Sequence, residues 1–450
     1  MGFDIVIANP PYVRHEKIKD QKDNLKRQDY IVFNSTSDLY TYFYEKGYDL
    51  LKDNGILTFI SSNKWLRAQY GEKLRKFLKE KTENKKIIDF GGYKVFNATV
   101  DTNILIFKKA IPDPSHEIPF VNIEDDFNKN NLTEYFERKK IAIKQSELSD
   151  SAWTLADDKV LALKKKIEKT GKPLKDWDVK IYRGVLTGYN EAFIIDTETK
   201  NTILKNCKDE DERKRTEEII KLILRGRDIG RYYYKWAGLW LIKIESGWTN
   251  QNRGKIKPEE FFKNTFQSLY DHFISLEGIK GKGRGLSNRD DQGDYWWELR
   301  DCAYYSEFEQ EKVVYPCIMT KEPRFAYENK HFYLPAPANI ITGKDMKYLV
   351  ALLNSKFIYF ALKHYYMGGG IEGELKTNNL LKLPIPPVTP QNQLIVSQIE
   401  SLVDQILAKK KSNPNDDTYE LEHQIDQLIY KLYDLTDEEI KIIEGRNETE

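Results

Sequence analysis

The segment GFDIVIANPPY, residues 2–12, determines how the first part of the chain folds. Residues 2–8 are mostly apolar and include β-branched side chains, which predicts a buried strand. The run then ends in Asn9-Pro10-Pro11-Tyr12. Because proline cannot continue strand pairing, we expect the strand to stop there and a rigid loop to follow at its carboxyl end.

The next residues alternate between helix and strand patterns. The sequence predicts a strand over residues 3–8, helices over residues 37–52 and 71–82, and further strands over residues 55–61, 85–92 and 102–110. Strands separated by helices are typical of a doubly wound α/β sheet, here a partial, Rossmann-like one. Ligands of such sheets bind at the carboxyl ends of the strands, where Asn9 to Tyr12 lie.

The rest of the chain has a different character. Residues 146–390 contain short strand-like runs between Gly- and aromatic-rich turns, which predicts a mixed, mostly β domain with inserted helices such as 346–366. Residues 391–450 have apolar residues at three- and four-residue spacing on both sides of NPND (413–416), which predicts a helical hairpin. We therefore expect three segments, 1–145, 146–390 and 391–450.

The composition is that of a globular protein. The 450 residues have a mean hydropathy of −0.65, and no apolar run approaches the roughly 20 residues that span a bilayer. The start of the chain has no basic stretch followed by an apolar one, so we expect a cytoplasmic protein. The three cysteines, Cys207, Cys302 and Cys317, form no CxxC pair and the six histidines are dispersed, so no metal site is expected.

Charge is distributed unevenly along the chain. Residues 412–450 contain twelve acidic and three basic residues, whereas the whole chain has a net charge of +1. The first 411 residues therefore carry a net charge of +10, which suits a polyanionic partner. A lysine-rich surface without a specific partner is the alternative, and charge alone favours it.

The Asn-Pro-Pro-Tyr loop has the groups needed to hold an aromatic amine. The prolines make the loop rigid and leave carbonyl oxygens free, and the Asn9 side chain supplies another acceptor. Two acceptors side by side can bind both hydrogens of an exocyclic amino group, which directs the nitrogen lone pair outward. Tyr12 offers a flat face for the attached ring, which would suit a nucleobase flipped out of a duplex. A proline turn that only ends the strand is the alternative.

A strand followed by Asn-Pro-Pro-Tyr resembles the signature of the amino-methylating DNA methyltransferases, in particular the N6-adenine group. The resemblance implies that Asn9 and Pro10 hold the adenine amino group, that Pro11 belongs to the same catalytic loop, and that Tyr12 stacks on the flipped base. In TaqI-like members a second aromatic residue closes the sandwich, and the form of GGYKVFNATVDTNILIF (91–107) assigns that role to Phe96. A core position is the alternative for Phe96.

Four later stretches and the end of the chain also resemble that family. The four are similar to the TaqI-type C-terminal specificity domain of fused restriction–modification enzymes: IYRGVLTGYNEAFII (181–195), LRGRDIGRY (224–232), LVALLNSKF (349–357) and LPIPP (383–387). The last stretch, LEHQIDQLIYKLYDLTDEEIKIIEG (421–445), is similar to the helical ending of those proteins. Their shared order and spacing imply a target-recognition domain after the methyltransferase part.

The chain departs from the family at the cofactor motif. These methyltransferases bind S-adenosylmethionine through a Gly-rich strand-to-helix turn upstream of Asn-Pro-Pro-Tyr, and only eight residues precede Asn9. DFGGYKVF (89–96) is followed by no helix pattern and MGGGIEG (367–373) follows a helix, so neither predicts a cofactor loop. The resemblance implies S-adenosylmethionine as cofactor, and we expect its main binding part to come from a missing N-terminal methyltransferase or nuclease portion or from a separate subunit.

Two basic stretches are candidates for contacting double-stranded DNA. RGRDIGRYYYK (225–235) mixes arginine with tyrosine, and a structural turn with an internal Arg–Asp pair is its alternative. IKGKGRGLSNR (279–289) has glycines between basic residues, which lets backbone approach phosphates, and a solvated loop is its alternative. The candidate DNA-binding residues are Arg225, Arg227, Arg231, Lys280, Lys282, Arg284 and Arg289.

These features together predict part of a site-specific adenine-N6 DNA methyltransferase from a restriction–modification system. The chain would bind and flip the target adenine and recognise a DNA sequence, and we expect it to be inactive alone. The alternative is a non-catalytic DNA-specificity module that acts as a partner subunit. A metal-nuclease pattern formed by Asp113, Glu137 and Lys139 is weaker, because such matches arise freely in a chain with 31% charged residues.

Overall fold

The computed structural model describes residues 2–96, 100–124, 126–150, 152–153, 155, 158–277, 285–319, 321–366 and 373–445. The chain forms two compact units. Unit 1 comprises residues 1–169, 361–374 and 437–450, and unit 2 comprises residues 170–360 and 375–436. These units group the residues differently from the three predicted segments, because the C-terminal segment is divided between them.

Unit 1 contains a six-stranded mixed sheet. Its strands are β1 (Phe3–Ala8), β2 (Leu51–Ser62), β3 (Glu83–Asp89), β4 (Thr102–Lys108), β5 (Glu117–Asn122) and β6 (Ile141–Lys144), in the order β1-β2-β4-β3-β5-β6. β1 is parallel to β2, and β4 runs antiparallel between β2 and β3. The carboxyl ends of β1, β2 and β3 therefore lie on the same side of the sheet as the start of β4, at the ends of the strands.

Helices pack against this sheet because apolar residues recur at helical spacing. They are α1 (Lys22–Arg27), α2 (Tyr40–Leu50), α3 (Glu72–Lys81), α4 (Leu132–Lys139) and α5 (Asp158–Thr170). In α3, Leu74, Phe77 and Leu78 lie on one face and are buried in the same apolar core as Leu57 and Leu105 of the sheet. The strands and helices predicted for this region are thus present, with ends that differ by up to four residues.

Unit 2 is mixed rather than mostly β. Its strands, all of five residues or fewer, are β7 (Lys172–Pro173), β8 (Val179–Arg183), β9 (Ile194–Asp196), β10 (Ile220–Leu222), β11 (Leu239–Ile242), β12 (Lys312–Tyr315), β13 (Ala326–Glu328), β14 (Asn339–Gly343) and β15 (Pro384–Ile385). They form the sheets β10-β11-β9, β13-β12-β14-β8 and β15-β7. The expectation of a mostly β domain was wrong, because helices and irregular segments occupy most of the chain between these short strands.

The helices between residues 170 and 390 are α6 (Asn190–Phe193), α7 (Thr197–Lys205), α8 (Glu210–Ile219), α9 (Trp248–Asn252), α10 (Pro258–Thr265), α11 (Gln267–Glu277), α12 (Met346–Asn354), α13 (Lys356–Ala361) and α14 (Thr377–Leu380). The helix predicted over residues 346–366 is present but interrupted, since Ser355 has an extended backbone between α12 and α13.

The predicted helical hairpin is confirmed. It consists of α15 (Gln393–Ser412) and α16 (Tyr419–Leu432), and the apolar residues that predicted it, such as Ile399, Ile406 and Ile425, are buried. A last helix, α17 (Asp437–Ile443), belongs to unit 1. Within the described residues, no helix combines the length and the apolar character that crossing a membrane requires.

Candidate functional site

The Asn-Pro-Pro-Tyr loop is fixed at both ends. At its start, Ala8 is the last residue of β1 and pairs with Phe59 of β2. At its end, the Val13 carbonyl accepts a hydrogen bond from the Leu39 amide at 2.9 Å. Only four residues span the distance between these two anchors, and two of them are prolines, so the loop has little freedom to move.

The two polar acceptors predicted for this loop are free. Asn9 is exposed, and within the described part of the chain neither its side chain nor the Pro10 carbonyl has a hydrogen-bond partner. The Pro11 carbonyl differs, because it accepts a hydrogen bond from the Val13 amide at 3.0 Å. The exposed Asn9 amide oxygen and the carbonyl of the buried Pro10, in adjacent residues, are therefore the two acceptors that the loop leaves unused.

Tyr12, the last residue of the loop, lies close to a second aromatic ring, that of Phe96. The ring centroids of Tyr12 and Phe96 lie 6.4 Å apart and their planes are inclined by 51°. A flat ring in contact with both would need them about 7 Å apart, twice a carbon–carbon contact distance of about 3.5 Å. The Tyr12 hydroxyl lies 3.5 Å from the Ile60 carbonyl, which accepts its hydrogen bond, and partial burial raises the pKa of this phenol. To admit a flat aromatic group, the two ring planes would have to become parallel and the rings would have to move slightly apart.

A buried carboxylate organises the turn that leads to Phe96. Asp89, the last residue of β3, accepts hydrogen bonds from the Asn63 amide at 2.8 Å and from the Gly91 backbone amide at 3.1 Å. Its second oxygen pairs with Arg67 at 3.3 Å. Gly91 has a φ of +52°, a conformation that glycine adopts without strain. The Asp89 contacts join the end of β2 to the loop that carries Phe96, and the sequence offered no motif for them.

Polar side chains also fill the interior behind the loop. The Tyr44 hydroxyl is 2.7 Å from the Ser61 hydroxyl, and Asn103 accepts hydrogen bonds from Ser61 at 3.3 Å and from the Trp65 ring at 3.2 Å. Burial raises the pKa of Tyr44, so it remains a neutral phenol. These groups were not predicted as site residues. Their signal in the sequence is a run of polar residues that ends β2 and begins β4, both otherwise apolar strands.

The outer face of β1 is apolar and exposed, so the expectation that this strand is buried was wrong. Phe3, Ile5 and Ile7 alternate along the strand and point to the same face. Their exposed fractions are 59%, 60% and 75%, and β1 forms an edge of the sheet. A contiguous apolar strip of this kind on a sheet edge is typical of a surface that another polypeptide covers.

Two regions of the chain match known protein families. Residues 1–96 match the Eco57I restriction-modification methylase, and residues 221–385 match the TaqI-like C-terminal specificity domain. The chain combines a restriction–modification methylase region with a TaqI-like specificity domain. These matches confirm the expected resemblance to restriction–modification methyltransferases with a TaqI-like specificity domain.

Individual relatives align with most of the chain. The type II methyltransferase M.BstVI of Geobacillus stearothermophilus is 23% identical over an alignment of 467 residues. The alignment covers 98% of this chain and 75% of that protein. M.XhoI of Xanthomonas vasicola is 28% identical over 371 residues, or 78% of this chain and 62% of that protein. The type IIL restriction-modification enzyme MmeI, solved in complex with DNA, has a similar fold, with a TM-score of 0.59, 14% identity, and coverage of 98% of this chain and 54% of that one. The chain thus spans between about half and three quarters of these proteins.

Two predicted DNA-binding arginines in the specificity domain are bonded to carboxylates. Arg225 forms a bidentate pair with Asp228, with two nitrogen–oxygen distances of 2.8 Å, as the structural alternative for this stretch required. Arg231 is paired with Glu422 of α16 and is 19% exposed. Arg227 is exposed, and no carboxylate pairs with it in the described part of the chain. DNA contact by these arginines stays a prediction, and only Arg227 presents a free guanidinium for it.

Arg289 is an interior residue, contrary to its assignment as a DNA contact. Its side chain is 6% exposed, and burial lowers its pKa to about 10. The guanidinium lies over the Phe193 ring at 4.5 Å and donates to the backbone carbonyls of Thr187, Leu286, Asp291, Trp296 and Glu298. The structure therefore makes it a cross-link of the domain core. Lys280, Lys282 and Arg284 lie outside the described residues.

The described residues offer no metal site, and the Gly-rich turn after β3 does not suit the cofactor. Among them, no group of three or more His, Cys, Asp or Glu side chains could hold a metal ion. Asp113 of the weak nuclease pattern is bonded to Ser115, and Lys139 to Glu124. Gly91 and its neighbour Gly92 lie between the antiparallel strands β3 and β4, not before a helix. These glycines therefore do not fit S-adenosylmethionine binding in a strand-to-helix turn, and the second Gly-rich stretch, 367–372, lies outside the described residues.

Proposed function

We propose that this chain holds the target adenine of a type II restriction–modification DNA methyltransferase that methylates the adenine N6 nitrogen. The observation that carries the proposal is the combination of two unbonded acceptors, the Asn9 amide oxygen and the Pro10 carbonyl, with two neighbouring rings, those of Tyr12 and Phe96. The match of residues 1–96 to a restriction–modification methylase supports it.

The geometry explains how the amino group would be activated. An exocyclic amino group is a weak nucleophile because its lone pair is delocalised into the ring. Two acceptors that bind both hydrogens favour a pyramidal nitrogen and direct its lone pair away from the loop. Preorganised acceptors of this kind act without further rearrangement during the reaction. The rings of Tyr12 and Phe96 would hold the base after it leaves the duplex, and the loss of stacking inside the duplex would be offset by stacking here.

We propose double-stranded DNA as the partner of the specificity domain. Support comes from the TaqI-like domain match and from the fold shared with MmeI, a protein solved in complex with DNA. A protein that modifies bacterial DNA would act in the cytoplasm. The domain would choose the sequence, while the loop in unit 1 would choose the base within it.

The methyl donor would be S-adenosylmethionine, since M.BstVI and M.XhoI are methyltransferases. Because Gly91 and Gly92 do not lie in a strand-to-helix turn, we propose that the polypeptide that covers the exposed face of β1 binds the donor. A specificity module acting as a partner subunit is the second candidate for this chain, and the same exposed face favours it.

The test is to map methylated bases in DNA from a bacterial host that lacks adenine methylation of its own. The host would express the chain together with its genomic neighbours, in wild-type form and as Asn9→Ala. We expect N6-methyladenine within one defined sequence for the wild type and its loss in the variant. Methylation of cytosine, or methylation that does not depend on Asn9, would overturn the proposal.

A further inference from the structure

Asp38 lies in the turn before α2 and is 9% exposed. Its two carboxylate oxygens are both used. One accepts a hydrogen bond from the backbone amide of His15 at 3.0 Å, and the other accepts one from the Tyr70 hydroxyl at 3.4 Å. His15 follows Tyr12 by three residues, so this buried carboxylate holds the chain directly downstream of the base-binding loop.

The hydrogen bond between Asp38 and His15 is one of two that join the segment after the loop to the start of α2. The neighbouring residue Leu39 donates its amide to the Val13 carbonyl at 2.9 Å. The segment 13–15 is therefore attached to residues 38 and 39 at two points, one through backbone and one through the Asp38 side chain. Because Ala8 is held in the sheet, these bonds determine where residues 9–12 lie.

The orientation of Asp38 is itself supported. The Tyr70 hydroxyl is 3.0 Å from the Tyr40 hydroxyl, and the Tyr70 backbone carbonyl accepts a hydrogen bond from Ser37. Burial and the nearby Asp38 carboxylate raise the pKa of Tyr70. The phenol therefore stays protonated and remains a donor to the carboxylate.

We infer that Asp38 is a positioning residue for methyl transfer, which it serves by holding the Asn9–Tyr12 loop in the geometry that binds the amino group. This inference rests on the proposed function of that loop. The Asp38 carboxylate accepts a hydrogen bond from the His15 backbone amide, which would otherwise be unpaired. Removal of such an acceptor loosens the segment that it holds. A misplacement of about 1 Å at a reacting group can cost about 100-fold in rate.

The first measurement is hydrogen–deuterium exchange of the full chain. In Asp38→Ala we expect the amides of residues 12–16 to exchange at least tenfold faster, while the amides of α2 keep their wild-type rate. Asp38→Asn retains an acceptor oxygen and should exchange like the wild type. If Asp38→Ala also unfolds α2, the variant Tyr70→Phe replaces it as the test. In that variant we expect the amides of residues 12–16 to exchange at least threefold faster than in the wild type. Unchanged exchange in the deciding variant overturns the inference.

The second measurement separates positioning from a general structural role. The probe is a duplex with 2-aminopurine opposite an abasic site, whose unpaired base can enter the site without knowledge of the recognition sequence. At saturating DNA, Asp38→Ala should lose most of the emission change seen with the wild type, whereas its DNA affinity should stay within twofold and Asp38→Asn should restore the signal. A wild type without an emission change would refute the base-binding function, and the exchange result would still decide the role of Asp38. An Asp38→Ala signal equal to the wild-type signal would overturn the positioning role.

Discussion

The rings of Tyr12 and Phe96 lie 6.4 Å apart at the carboxyl ends of the strands, although 84 positions separate them in the chain. Tyr12 reaches this place from the end of β1, and Phe96 reaches it from the turn after β3, which Asp89 holds. The planes are inclined by 51°, so the rings are not yet parallel. A base between them would align both rings, and each would then contribute stacking.

The first prediction concerns Phe96. Stacking of one base on an aromatic side chain contributes about 1–3 kcal/mol, so Phe96→Ala should weaken capture of an extruded base by about 5- to 150-fold. Phe96→Trp keeps a flat ring and serves as the control. The emission of 2-aminopurine in the abasic-site duplex, titrated with the chain, measures the effect. A Phe96→Ala variant that captures the base as well as the wild type would make Phe96 a core residue instead.

The second prediction concerns Asn9. In the complete enzyme, Asn9→Ala should lower kcat by about 100- to 1,000-fold, the cost of losing one preorganised hydrogen-bonding group at a reacting centre. DNA affinity should change by less than threefold, because the Asn9 side chain would contact only the extruded base. Single-turnover methylation and fluorescence anisotropy measure the two quantities. Equal losses in both would show that Asn9 only shapes the loop.

Local sequence was sufficient to predict the position of β1, the loop after it and the hairpin α15–α16, because period and proline placement act over a few neighbouring residues. It did not predict that β1 lies at the edge of the sheet with its apolar side chains exposed. The loop's anchors could not be predicted in this way. Asp38 and its partner His15 are 23 positions apart, and Asp89 and Asn63 are 26 apart, so these pairs exist only after the strands assemble.

Basic residues in the specificity domain show the same limit. A stretch rich in Lys and Arg predicts charge, but it does not tell which side chains face solvent. Arg289 is drawn inside because five backbone carbonyls converge on it, and Arg231 is held by Glu422 from a helix 191 positions later. Only the folded domain separates these residues from Arg227.

The third prediction is that Arg289 contributes to stability rather than to DNA binding. Arg289→Ala leaves several buried carbonyl oxygens without a donor, and each unsatisfied group costs about 1–3 kcal/mol. We expect a lower midpoint of urea unfolding for unit 2. Arg227→Ala is the matched control, since its side chain is exposed, and it should leave the midpoint unchanged. An unaltered midpoint in Arg289→Ala would contradict the cross-linking role.

The fourth prediction concerns the pH dependence of stability at Asp426. Burial raises the pKa of this carboxyl to about 6, whereas the unfolded value is about 3.8. Between these values the folded protein binds a proton that the unfolded chain has released, so the free energy of unfolding falls as pH rises from 4 to 6. The shift corresponds to at most about 3 kcal/mol.

Asp426→Asn should remove this dependence, because the amide oxygen can still accept the hydrogen bond from the Lys356 amide. The difference in free energy of unfolding between the variant and the wild type should therefore favour the variant more at pH 7 than at pH 4. Urea unfolding at both pH values measures the difference. Loss of the attraction between the Asp426 charge and Arg231 works against this gain. If the variant loses more stability, relative to the wild type, at pH 7 than at pH 4, that attraction dominates.

The last prediction concerns the basic stretch that contains Lys280, Lys282 and Arg284. Each lysine or arginine that neutralises a DNA phosphate releases counterions, which makes the slope of log affinity against log salt steeper by about 0.9. Reversal of all three charges to glutamate should therefore flatten the slope by up to about 2.7. Binding of a fluorescent duplex between 50 and about 200 mM salt gives the slope.

A matched control is needed, because any loss of positive charge weakens long-range attraction to DNA. Reversal of Lys205, Lys214 and Lys263, three exposed lysines of unit 2, changes the net charge by the same amount. Long-range attraction alone would flatten both slopes equally, whereas direct phosphate contact flattens the first slope more. Because glycines alternate with the basic residues in 279–285, the backbone there can approach phosphates closely, and we expect the larger effect at this stretch. Equal slopes for the two variants would exclude 280–284 from the DNA-binding surface.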